Sequence, residues 1–198
     1  MANTRKDVQA VAAKMIHRIL KNPNPGAQKA ALANLRRGIG HAPGEIPQLW
    51  GEFLLDLPEE MSGWDGEPSR EEWAIYTALT LFALHQQGHD PDREPMHREG
   101  NRFGTSVGRL ATDEDEMKRI LRRLNAAATA GSVSALAHYL RGLVQLLRTE
   151  GIAVDYAALA GDIFRYQYPE FTAQVRLAWG QDFYACYNKI KSGEDKKE

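Results

Sequence analysis

The stretch TDEDEMKRILRRLNAAATAGSVSALAHYLRGLVQLLRTEG, Thr112 to Gly151, decides the class of this fold. Ile120, Leu121 and Leu124 recur at helical spacing in its first half, and Leu136, Leu140, Leu143, Val144 and Leu147 in its second. Apolar residues that return every three or four positions form one stripe along an α-helix, and no period-two alternation competes with them. The punctuation agrees. Thr112 offers an N-cap hydroxyl, and Asp113-Glu114-Asp115-Glu116 suits the positive end of a helix dipole. Gly131 stops the first helix near Ala130, Ser132 or Ser134 opens the second, and Gly151 ends it. The stretch reads as two consecutive amphipathic helices.

The same grammar extends outward. Asp155 caps a helix through Phe164, and Pro169 sits at the start of a last helix, Glu170 to Lys191. On the other side, Ser69-Arg70-Glu71-Glu72 is a capping box for a helix through Trp73, Tyr76, Leu79, Phe82 and Ala83, ending near Gly88. Residues 4–21 carry Val8, Val11, Met15, Ile19 and Leu20 at helical spacing, and Asn22-Pro23-Asn24-Pro25-Gly26 stops them. Ala27 to Arg37 is alanine-rich, with Gly38 as its stop. Glu45 to Leu57 reads as a shorter helix ending at Pro58, and Ser106 to Ala111 as a short one. The expectation is an all-α protein, a compact bundle of eight to nine helices in one body or two packed lobes. An N-terminal helical half (1–90) leads through an exposed connector (91–104) to a C-terminal helical half (105–191). A disordered charged tail (192–198) follows.

With 43% hydrophobic and 26% charged residues the 198-residue chain is ordinary globular material. It has no apolar run of the ~18 residues that would span a bilayer. Its polar start, with Arg5, Lys6 and Asp7, does not follow the signal-peptide pattern. Cys186 is the only cysteine, which excludes an intrachain disulfide and a cysteine-built zinc site and fits a reducing cytoplasm.

The net charge of −1 hides a segregation. Val8 to Gly44 contains Lys14, Arg18, Lys21, Lys29, Arg36 and Arg37 and no acid. Glu45 to Glu72 sets nine acids against Arg70 alone. Met117 to Arg148 contains Lys118, Arg119, Arg122, Arg123, Arg141 and Arg148, again with no acid. Arg119, Arg122 and Arg123 share one turn opposite the leucines. His138, Arg141, Gln145 and Arg148 form a polar stripe along the next helix. Solubilising faces usually mix both signs, so arginine faces without acids point to a polyanion. The planar guanidinium fork suits phosphate because it makes two parallel charge-assisted bonds. Trp50, Trp64, Trp73, Tyr139, Tyr166, Tyr168 and Trp179 are the candidates for base stacking. Trp73 and Trp179 occupy apolar helical positions and are expected in the core. No surface that reads base edges emerges, so the expected contact is with the backbone.

Catalytic patterns are thin. Gly104-Thr105-Ser106-Val107-Gly108 matches the nucleophile elbow of hydrolases, but that motif needs a preceding strand and the residues before it are polar. His85 and His89 have the i, i+4 spacing of a shared metal site, yet Gly88 breaks the helix between them and no third ligand is fixed. Cys186, among Phe183, Tyr184 and Tyr187, reads as a small core residue. No phosphate-binding loop or dinucleotide fingerprint is present. The chain is expected to hold no cofactor or metal and to perform no catalysis.

Ala33-Asn34-Leu35-Arg36-Arg37-Gly38, followed by Pro43-Gly44-Glu45-Ile46-Pro47, resembles the N-terminal signature of the CasB family, the small subunits of the type I-E CRISPR surveillance complex, Cascade. Ala78 to Gln86, Ser106 to Arg109, Leu140 to Leu143 with Leu147-Arg148, Val154 to Tyr156 and Trp179 to Tyr184 are similar in the same order. The resemblance covers roughly residues 10 to 187. It implies a cytoplasmic, non-enzymatic, all-α subunit that sits as a pair beside other Cascade subunits. Such a subunit stabilises the R-loop formed by CRISPR RNA and target DNA, binding the displaced non-target strand without sequence preference. The resemblance carries the family's basic residues to Arg36, Arg37, Arg109 and Arg141. Lys118, Arg119, Arg122, Arg123 and Arg148 fall in the corresponding basic region.

Overall fold

The computed structural model describes residues 3–193. Among them the chain forms nine α-helices and no strand, only two isolated bridges. Helices α1 (Arg5–Leu20) and α2 (Pro25–Arg37) are followed by α3 (Trp50–Phe53), α4 (Arg70–His85) and α5 (Phe103–Gly108). Then come α6 (Glu114–Ala128), α7 (Val133–Thr149), α8 (Tyr156–Tyr166) and α9 (Pro169–Ser192). The expected all-α bundle of eight to nine helices is what the described residues form. Within the tail, Ser192 closes α9 and residues 194–198 lie outside the described part.

Capping side chains set the starts. Thr4 and Ser69 form capping boxes with Asp7 and Glu72, and Asn24, Asp113, Ser132 and Asp155 each accept from an amide of the following turn. The third long helix of the chain, α4, runs through the centre. From Ala74 to His85 every residue is buried, which is what a helix with no solvent face requires. It packs on α1, α2, α7 and α8, and α1 packs on α8. One hydrophobic cluster therefore draws on both halves of the chain, from Val8 to Tyr187. The amphipathic pair lies at its edge: α6 buries Ile120, Leu124 and Ala127, and α7 buries Leu136, Leu140, Leu143, Val144 and Leu147.

Three local expectations shift. The helix expected over 45–57 shrinks to a 3₁₀ turn, Pro47–Leu49, and the single turn of α3. Leu49 and Phe53 reach the core, but the Arg18 guanidinium donates to the Glu52 carbonyl at 2.9 Å, an acceptor that a longer helix would use. Leu54 and Leu55 are left exposed. The cap of α6 is Asp113; Thr112 instead donates its hydroxyl to Glu116. Within the connector, Asp92 to Pro95 are exposed, whereas Met96 is buried and Phe103 enters the core as the start of α5. Backbone bonds tie this segment to 154–155: Val154 N–H donates to Met96 O at 3.0 Å, and Asp155 N–H to Asn101 O at 2.7 Å.

Candidate nucleic-acid interface

Helices α6 and α7 pack antiparallel through their leucine faces, and a groove of about 520 Å³ runs between their outer edges. Arg119, Arg122 and Arg123 line one side; His138, Tyr139 and Gly142 line the other. No carboxylate lines it. His138 also borders a smaller hollow, about 150 Å³, between the end of α2, α4 and α7. Gly38 to His41, Trp73, Tyr76 and Arg141 contribute to its walls, again without an acid. At the opposite end Arg119 leads to a third depression that holds Arg109 together with Glu116 and Glu150. The shared residues make one continuous surface, from the loop after α2, across His138 and Arg141, along the arginines of α6, to Arg109.

The nine basic residues singled out in the sequence occupy different situations. Arg122, Arg123 and Arg141 are exposed and form no ion pair among the described residues. Arg37 is exposed and Arg36 half-buried on the last turn of α2, next to the hollow's Gly38 rim; burial lowers the Arg36 pKa and leaves it charged. Lys118 pairs with Glu114 at 2.9 Å and Arg119 with Glu116 at 2.8 Å, both within α6. The Lys118 pair also holds the Glu114 carboxyl below its ordinary pKa. Arg148 turns away from the groove and donates to Gln87 Oε1 at 3.1 Å. Sequence reasoning passed over His41 as a site residue, read Gly38 as a helix stop and signature residue, and treated His138 only as one member of a polar stripe; all three form part of the hollow. Trp179 is buried as expected, with its indole N–H donating to Asp162 at 2.8 Å. Trp73 is half-buried and faces the hollow instead of the core.

The patterns with catalytic overtones have structural partners. Gly104 and Gly108 let α5 lie against α9: a Cβ would stand 2.4 Å from Trp179 O at the first and 2.8 Å from Phe183 O at the second. Ser106, on the same short helix, is fully buried and donates to Ala153 O at 2.8 Å. His85 lies in the core with Nδ1 2.7 Å from the Tyr156 hydroxyl, and desolvation pulls its pKa down to about 4. His89 contacts Glu94 and the Arg148 carbonyl. Cys186 is buried against Gly108 of α5. Among the described residues no three His, Cys, Asp or Glu side chains are grouped to hold a metal, and no helix is long and apolar enough to cross a membrane.

Fold and groove together define an all-α protein that presents an open, acid-free basic surface on two neighbouring helices. The chain belongs to the CRISPR-associated Cse2 family, whose model, CRISPR-associated protein Cse2, matches residues 31–184. No curated protein matches it. The crystal structure of CasB from Thermobifida fusca is 30% identical with a TM-score of 0.68, covering 90% of this chain and 96% of that one. CasB from Thermus thermophilus is 22% identical with a TM-score of 0.66, covering 88% and 97%. A chain of a structure described as a CRISPR RNA-guided surveillance complex is 20% identical with a TM-score of 0.69, covering 94% and 99%.

Proposed function

We propose that this chain is the non-catalytic small subunit of a type I-E Cascade complex and holds the displaced non-target DNA strand by its phosphates, without sequence preference. In that role the guide RNA reads sequence, and the protein reads backbone and keeps the R-loop open. The observation that carries the reading is the acid-free groove between α6 and α7, with Arg122 and Arg123 on one wall and in no ion pair among the described residues. Its continuation past His138 to Arg141 lengthens the track beyond one helix pair. The family membership and the fold match to a chain of a CRISPR RNA-guided surveillance complex support a place in such an assembly. In this reading the chain works in the cytoplasm beside other Cascade subunits and a second copy of itself.

The direct test is retention of unrelated single-stranded oligonucleotides by the purified chain at several salt concentrations. Affinity falls with log salt at a slope of roughly −0.7 per phosphate contact on single strands. Omission of the chain from a reconstituted complex shortens R-loop lifetime. Absence of any sequence-independent retention would instead favour a second reading, a helical scaffold that meets only protein. One observation favours that reading: Leu55 and Trp64 are 74% and 85% exposed amid the acidic segment 52–67, a surface unsuited to DNA.

A further inference from the structure

The hollow between α2, α4 and α7 has a chemistry that phosphate binding does not use. Its floor is satisfied internally: Tyr76 donates its hydroxyl to Gly38 O at 3.1 Å, and Thr80 to Thr77 O at 3.0 Å. The Gly38 wall is fixed, since a Cβ there would lie 2.5 Å from the Tyr76 oxygen. Its rim is different. Trp73, Ser134, His138 and Arg141 all line it, and the indole N–H, hydroxyl, imidazole and guanidinium of these four have no hydrogen-bond partner among the described residues. Two flat rings and several unmet polar groups thus surround a space of about 150 Å³. Pockets for drug-sized ligands run to roughly 300–1,000 Å³. The hollow is the size for a single flat heterocycle.

Its position selects which heterocycle. His138 lines both the hollow and the arginine groove, so the two spaces adjoin across that side chain. No acid lines either space. We infer that the hollow receives one unstacked nucleobase from a single strand whose flanking phosphates lie on Arg141 and on Arg122 and Arg123. This rests on the backbone-binding reading above. The base stacks against Trp73 or His138, and its polar edge meets the unmet groups of the rim. Every base has a π-face, so the hollow distinguishes a base from no base and not one base from another. Because the strand is already held by its phosphates, the base arrives at high effective concentration, and a small pocket suffices.

The test compares an oligothymidylate with an oligonucleotide of equal length carrying abasic sites, which keeps the number of phosphates constant. Anisotropy titration of the full chain is expected to give about tenfold tighter binding to the thymidylate, with the same salt slope for both. Trp73→Ala lowers thymidylate affinity to the abasic value, and Trp73→Phe retains most of the preference. Ser134→Leu, on the exposed start of α7, fills the hollow from its rim with no aromatic face and removes the preference without touching α4, which guards against a folding defect in the first variant. Equal binding of both oligonucleotides by the wild-type chain, with a normal salt slope, overturns the base pocket and leaves backbone binding standing. Failure to bind either one overturns both.

Discussion

The two basic stretches, 8–44 and 117–148, carry the same six positive charges and the same lack of acids in sequence, yet they meet different partners in the fold. In the first, Lys14 and Arg18 of α1 converge on Asp56 at 3.3 and 2.8 Å, and Arg18 also holds the Glu52 carbonyl. One acid of the intervening block is thus structural: Asp56 fastens the irregular segment after α3 to α1. In the second stretch the acids lie just upstream, in the first turn of α6. They reach Lys118 and Arg119 and no further along the helix. The cations without an ion pair among the described residues are Lys21, Lys29, Arg36 and Arg37 in the first stretch and Arg122, Arg123, Arg141 and Arg148 in the second, and of these only Arg122, Arg123 and Arg141 line the groove or the hollow. A charge count over a window therefore measures supply, and tertiary pairing decides where a field remains.

The largest effect is expected where that remainder lines the groove and the hollow. Arg122→Glu, Arg123→Glu and Arg141→Glu combined should weaken single-strand binding at least about a hundredfold, since charge-assisted hydrogen bonds contribute roughly 1.5–3 kcal/mol each. The salt slope should fall by about 2, from three contacts at roughly 0.7 each. All three side chains are exposed, so the melting temperature should barely change. Full retention of binding by the folded triple variant would remove the distinction between the two stretches.

A smaller effect of opposite sign sharpens the comparison from the acidic side. Glu114→Gln with Glu116→Gln releases Lys118 and Arg119 from their partners. These are exposed pairs worth roughly 0–1 kcal/mol, so little stability is lost apart from the helix-dipole contribution of the first turn. Affinity for single strands should rise about threefold, with a steeper salt slope, because two cations become available beside the groove. An unchanged slope would mean that Lys118 and Arg119 lie off the path of the strand.

Much of this was legible in the sequence, and the parts that were not share a cause. Caps, stops and apolar stripes are local, so the helix starts at Arg70, Val133, Tyr156 and Pro169 follow from Ser69, Ser132, Asp155 and the proline itself. The α6 arginines could be placed on one face from their spacing alone. What sequence could not convey was contact at long range. Nothing near Leu55 announces that Arg18, 34 positions before Glu52, takes that residue's carbonyl and ends the helix. Trp73 has the periodicity of a core residue, and only the distance between α4, α7 and the Gly38 loop leaves it at the edge of a hollow. The GxSxG pattern likewise is explained by α9, whose backbone approaches Gly104 and Gly108 from some 75 residues away.

The smallest expected change in binding tests the comparison from its other end. Lys14→Gln with Arg18→Gln lowers the charge of the first stretch by two units, against the six by which the charge-reversing triple variant lowers that of the second. If net charge alone governed binding, the loss would be of the same kind. The fold argues otherwise. Both side chains are committed to Asp56, whose side chain is only 16% exposed, and neither borders the α6–α7 groove or the hollow. Single-strand affinity should therefore stay within about twofold of wild type, the residue of long-range field that survives screening over a Debye length of roughly 8 Å at physiological salt. The cost should appear in stability, about 1 kcal/mol, since Asp56 loses its counterions and the Glu52 carbonyl a donor. Denaturant titration and anisotropy on the same preparation separate the two outcomes. A binding loss comparable to that of the groove variant, without a loss of stability, would assign the first stretch to the strand as well and make the two stretches equivalent in function as they are in sequence.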